Sequence, residues 1–138
     1  MWGGKMNLTI DMVNILRSKG FQYKELEHMC NIGMVYYYDG VEYTIGGRWD
    51  ESPLTQDDHK ISEIGTWLPD EAQLISWLQK NEYDISINYI HEKSYFNAVA
   101  KKEIYSVSYK GSGPDLSCCL YKLILKILND RNNNSYQA

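Results

Sequence analysis

A single apolar stripe near the carboxyl end constrains the fold more than any other feature of the chain. Leu116, Cys119, Leu120, Leu123, Ile124, Ile127 and Leu128 recur at the three- and four-residue spacing of one helix face. Such a stripe must lie against another layer, because burying each large side chain contributes roughly 1.5–3 kcal/mol. The preceding segment supplies that layer. Ile85, Ile87 and Tyr89 alternate with Asp84, Ser86 and Asn88, and Tyr105, Val107 and Tyr109 alternate with serines. That two-residue period belongs to strands with one dry face. With residues 94–100 between them and short polar turns at His91-Glu92-Lys93 and Lys101-Lys102-Glu103, the pattern predicts a three-stranded meander.

Upstream, Asn7 to Lys19 reads as a helix with Leu8, Met12, Ile15 and Leu16 on one face and Gly20 just past its end. Residues 24–34 are ambiguous and permit a short helical turn. Asp39-Gly40 between Val35–Tyr38 and Val41–Ile45 is a strong hairpin signal. From Arg48 to Gly65 no period survives, and Pro53, Asp57 and Asp58 mark an irregular loop. A further helix starts at Pro69, with Ala72, Ile75 and Leu78 on its face and Asp70 and Glu71 in its first turn. No βαβ alternation calls for a parallel sheet. The expected fold is α+β: an antiparallel sheet, hairpin plus three-stranded meander, covered by about three helices. Residues 7–130 form one domain between a flexible N-terminus at 1–6 and a disordered polar tail at 131–138.

Charge narrows the function classes. The formal net charge is −4, and the three arginines, Arg17, Arg48 and Arg131, are scattered. Nucleic-acid binding needs clustered cations, so no nucleic-acid partner is expected. Apolar runs such as Leu123 to Leu125 are far too short to span a bilayer, so no membrane partner is expected either. Three cysteines without zinc-ligand spacing suit a reducing, cytoplasmic setting.

No constellation for catalysis emerges. His28, His59 and His91 lie in different segments, and Asp57-Asp58-His59 reads as solvated loop rather than metal site. Neither nucleophile elbow, phosphate loop nor paired carboxylates are present. The expectation is a protein that is not an enzyme and takes no cofactor and no metal.

Candidate binding residues remain, each with an ordinary alternative. Aromatics make up 13% of the chain, with 12 Tyr and 4 Trp against 2 Phe. Rings with one wet edge suit either half-buried strands or a stacking or interface surface. Arg48 and Trp49 pair a phosphate-forking guanidinium with an indole that stacks on a base, or else Trp49 folds under the loop. Tyr95, Asn97, Tyr105 and Tyr109 in the meander offer ring faces and an amide, although half of such positions must face the helices. Lys110 precedes Gly111-Ser112-Gly113, a glycine turn that either presents backbone N–H groups to an anion or simply caps the last helix. Ser112 and Asp115 form a variant capping box in the second case.

Thr66-Trp67-Leu68-Pro69, Leu74-Ile75-Ser76-Trp77-Leu78, the strand Tyr83 to Tyr89 and Cys119-Leu120-Tyr121-Lys122-Leu123-Ile124 together resemble small phage and prophage proteins of the ABA-sandwich type. The resemblance spans about residues 65–128, and the richness in Asn, Lys, Ile and Tyr is that of an AT-rich Firmicute genome or its phage. Phage proteins of similar size and plan include the Thoeris anti-defence proteins, which sequester cyclic ADP-ribose signals without cleaving them. The resemblance implies a counter-defence protein of the host-cell cytoplasm that captures a small cyclic nucleotide; the residues read above then suggest rings stacking the base, Arg48 and Lys110 meeting phosphate and the Gly111–Gly113 backbone completing the site. It also implies a homo-oligomer if the pocket forms between subunits. The alternative is an inhibitor docking on a host defence protein.

Overall fold

The computed structural model describes residues 7–47, 54–102 and 107–135, with side chains through residue 133. Among these the order is α1 (Ile10–Ser18), β1 (Val35–Tyr38), β2 (Val41–Thr44), α2 (Gln56–Ile64), β3 (Thr66–Leu68), α3 (Glu71–Lys80), β4 (Asp84–Ile90), β5 (Tyr95–Lys102), β6 (Val107–Gly113) and α4 (Leu116–Ser135). The class is α+β, as expected, but the strands form two antiparallel sheets, ordered β2-β1-β3 and β4-β5-β6.

The hairpin forms where Asp39-Gly40 predicts it. Both residues take positive φ, 50° and 83°, which matches the twist of a two-residue turn to that of its strands. Strand β3 is an addition. Val35 and Tyr36 of β1 pair with Leu68 and Trp67, so β1 becomes the central strand of its sheet.

The stretch read as an irregular loop contains α2, which is the largest departure from the sequence reading. Thr55 and Asp58 make a reciprocal capping box: Thr55 Oγ1 accepts from Asp58 N at 3.2 Å, and Asp58 Oδ2 accepts from Thr55 N at 3.0 Å. Two orphan donors are satisfied at once, which starts a helix with a weak apolar stripe. The next helix, α3, begins after Pro69 in the same way, with Asp70 and Gln73 capping each other. It buries Leu74, Trp77 and Leu78, while Ala72, expected on that face, is exposed. In α1 the buried residues are Val13 and Leu16; Ile15, expected to face inward, is 44% exposed.

Helix α4 lies along β5 and β6 and also touches α3 and α1. Leu120, Leu123, Ile124 and Ile127 are fully buried, as the stripe requires. Gly111 and Gly113 are what let helix and sheet come so close. A Cβ on Gly111 would sit 2.5 Å from the Cys119 carbonyl oxygen and 2.8 Å from the Leu123 nitrogen. The helix continues beyond residue 130, against the expected tail. Arg131 packs over the Trp77 ring at 5.5 Å, and Asn132 Nδ2 donates to the Lys19 carbonyl at 3.2 Å. No helix among the described residues is long and apolar enough to cross a membrane.

Burial also makes stability sensitive to base. It pushes the Cys119 thiol up to about 11, and burial together with a hydrogen bond donated to Asp130 pushes the Tyr109 phenol up to about 12. Tyr36, fully buried with its hydroxyl donating to the Met29 carbonyl at 2.7 Å, is raised further. The folded state therefore holds these protons more tightly than the unfolded chain does. The stabilisation is whole below about pH 8.5 and is lost as pH rises, first through Cys119 and then the tyrosines, at up to about 1.4 kcal/mol per pH unit for a fully buried group. Partly exposed Tyr109 contributes less. Urea midpoints are expected to fall steadily above about pH 9; midpoints flat to about pH 11 would contradict the assignment.

Candidate functional site

The ladder sorts the meander residues by face. Phe96, Ala98 and Ala100 of β5 are buried beneath α4, and their neighbours Tyr95, Asn97 and Val99 point to the uncovered side. Asn97 stands opposite Asn88 and Ser112, and Val99 opposite Ser86 and Lys110. Four of the predicted residues, Tyr95, Asn97, Lys110 and Ser112, therefore share one open, polar sheet face.

The other meander candidates turn the opposite way. Tyr109, Gly111 and Gly113 belong to the α4 side. Tyr109 is engaged, donating to the Asp130 carboxylate and meeting the Tyr83 ring edge-on at 6.2 Å. The glycine turn is not a loop but the end of β6, so the reading of it as an anion cradle is corrected. Gly111 sits in the ladder opposite Ala98, and its missing side chain admits α4. The proposed Ser112–Asp115 box is replaced by a single cap, in which Asp115 Oδ1 accepts from Cys118 N at 2.7 Å. A carboxylate at that helix start also repels an anion. Arg48, Trp49 and Tyr105 lie outside the described residues.

Burial separates the remaining rings. Trp67 and Trp77 are 4% and 3% exposed and meet Phe21 at centroid distances of 6.3 Å and 5.2 Å. They are core. Among the described residues the exposed aromatics are tyrosines, and two of them lie together on the first sheet.

There the register pairs Tyr36 with Tyr43 and Tyr38 with Val41, which puts all four on one face. Tyr36 is buried; Tyr38, Val41 and Tyr43 stand 42%, 48% and 39% exposed. Helix α2 runs beside them and adds Ile61 and the exposed Ile64. Between hairpin and helix lies a groove of about 290 Å³, lined by Tyr38, Tyr43, Ile61 and Ile64, with Asp57 and Lys60 among its polar lining. Contacts at both ends help hold α2 in place. Gly65 brings the end of α2 against β1, where a Cβ would meet the Ile61 carbonyl oxygen at 2.8 Å and the Tyr36 Cβ at 3.0 Å. At the other end Asp58 Oδ1 accepts from Gly46 N at 3.5 Å. Beside the groove, β2 is an edge strand in the sheet order, exposed at every residue.

Sequence reasoning missed this groove because it missed α2. The signal was Thr55 followed by Asp58, the same Asp-for-Glu box that was credited to Ser112 and Asp115. Among the described residues no group of three or more His, Cys, Asp or Glu converges at metal-binding distance. His28 instead meets the Ser62 carbonyl through Nδ1 at 3.1 Å. Cys119, buried and in contact with the Gly111 carbonyl at 3.2 Å, behaves as a small core side chain. Comparison of the chain with family models, with curated proteins and with solved structures gives no match.

Proposed function

We propose that the chain acts by binding rather than by covalent chemistry, and that it docks on another protein through the groove between the hairpin and α2. The observation that carries this reading is the side-by-side exposure of Tyr38, Val41, Tyr43 and Ile64 next to β2, an edge strand among the described residues. Exposed apolar residues scattered singly need no explanation, but a contiguous set beside an unpaired strand edge is the makeup of a docking site. An extended partner segment would add to β2 through backbone hydrogen bonds and place alternate side chains against the tyrosines. In the setting that the phage resemblance implies, the partner is a host defence protein and the outcome is inhibition. A photo-crosslinking residue at position 43 is expected to trap one protein stoichiometrically from host lysate, while the same residue at position 97 traps none. Equal trapping at both positions would remove the groove from the account.

A second reading, capture of a small cyclic nucleotide, is favoured by the convergence of Tyr95, Asn97, Lys110 and Ser112 on the open meander face. A flat face buries little of a small ligand, and pockets for such ligands are concave. Two copies paired face to face would supply the missing wall, so this reading requires a homo-oligomer. Calorimetry with cyclic ADP-ribose isomers and cyclic oligonucleotides tests it: saturable heat with dimerisation supports capture, and silence from folded protein across the panel rejects it.

A further inference from the structure

A second concavity lies away from the groove, where the loop after α1 meets the carboxyl end of α3 and the last turns of α4. It measures about 280 Å³, and its lining carries three cations, Lys24, Lys80 and Arg131, against one carboxylate, Glu25. In a chain of net charge −4 that local excess is unusual. We propose that this cleft binds a small phosphate-bearing anion, and the inference stands independently of the docking groove.

The cations are arranged by the fold. Trp77 Nε1 donates to the Gln22 carbonyl at 3.0 Å, which ties the Lys24 loop to α3. The Arg131 guanidinium lies 5.5 Å from the Trp77 ring centroid and donates through Nη2 to Asn81 Oδ1 at 3.3 Å. A guanidinium has five N–H donors in a planar fork, so this contact leaves several for a ligand. The Lys80 ammonium sits 5.2 Å from the Tyr23 ring centroid and pairs with Glu25.

An ordinary explanation is that cations here only offset the negative carboxyl ends of α1 and α3. It accounts for Lys80, in the last turn of α3. It does not account for Lys24, which comes from the loop. Both Lys80 and Glu25 are well exposed, at 43% and 64%, so an arriving dianion can take over Lys80 as Glu25 turns to solvent. Size limits the ligand. Pockets that enclose drug-sized molecules run about 300–1,000 Å³, so this one takes a phosphate with at most its sugar.

The test is titration of the intact chain with inorganic phosphate and with ribose 5-phosphate at constant ionic strength, read from the Trp77 indole N–H resonance. A saturable shift is expected with either probe. Lys24→Gln and Arg131→Gln should each weaken it by about three- to tenfold, the range of a partly screened charge-assisted contact. Glu25→Gln should tighten it, because the competing carboxylate is gone, whereas Lys101→Gln on the meander should change nothing. Tighter binding of ribose 5-phosphate than of phosphate identifies a phosphosugar ligand; equal binding identifies free phosphate. A non-saturating shift, or one indifferent to Lys24→Gln and Glu25→Gln, overturns the proposal.

Discussion

Gly111→Ala is expected to destabilise the protein by about 3 kcal/mol, at the upper end of what overpacking a well-packed site costs. The obstacle is main chain on both sides, the Cys119 carbonyl at 2.5 Å and the Leu123 amide nitrogen at 2.8 Å. Neither atom can swing aside as a flexible side chain would, so α4 has to lift from β6. That lift would loosen Leu120, Leu123 and Ile124 together, all of them fully buried. Gly40→Ala makes the natural comparison. Its φ is +83° but no atom lies within 4 Å of the added Cβ. There the loss is that of one strained residue, about 1–2 kcal/mol. Urea unfolding of both variants separates the two cases, with midpoints falling in that order at an unchanged slope. A Gly111→Ala protein within about 0.5 kcal/mol of the parent would mean that α4 does not approach β6 this closely at Gly111. It would also reopen the reading of the glycine segment as a ligand cradle.

The second large effect concerns the groove. Replacing Tyr43 and Ile64 together by serine is expected to abolish docking, with the fold intact. Both side chains project into solvent, so their loss removes little from the core. Central apolar and aromatic anchors of an interface typically carry 2 kcal/mol or more each, so affinity should fall by about 30-fold for either change and out of range for the pair. A matched pair on the opposite sheet, Asn88→Ala with Asn97→Ala, should leave docking untouched. Circular dichroism and urea midpoints close to the parent's are needed for the comparison to count. Unchanged docking by a folded Tyr43→Ser, Ile64→Ser protein would exclude the groove.

The parts of this fold that were legible in the sequence are those in which one local signal is strong. Asp39-Gly40 allows few alternatives to a tight hairpin, and the stripe from Leu116 to Leu128 has no other way to be dry. The alternation Ile85, Ile87, Tyr89 located β4, although its helix-facing side is only partly covered at that edge, with Tyr89 50% exposed. Other parts were hidden because their cause is tertiary. Thr66–Leu68 is too short to show a period and is a strand only because β1 pairs with it. Helix α2 buries only Ser62 fully, so it carries no stripe to read; its capping box was the one local clue. The glycines before α4 were legible as special and misread in kind. Sequence shows that a side chain is missing, and only the packing shows that a helix backbone occupies the space. The candidate site fared likewise: Tyr95, Asn97, Lys110 and Ser112 do share a face, but the groove needed α2 to exist.

Backbone hydrogen exchange of the chain, free and bound to the protein trapped at position 43, tests the central claim most directly. Docking on the groove predicts slowed exchange across Val41–Thr44 and along α2, with β4, β5 and β6 unaffected. Slowed exchange confined to the meander around Asn88, Asn97 and Ser112, with β2 exchanging as in the free protein, would contradict it.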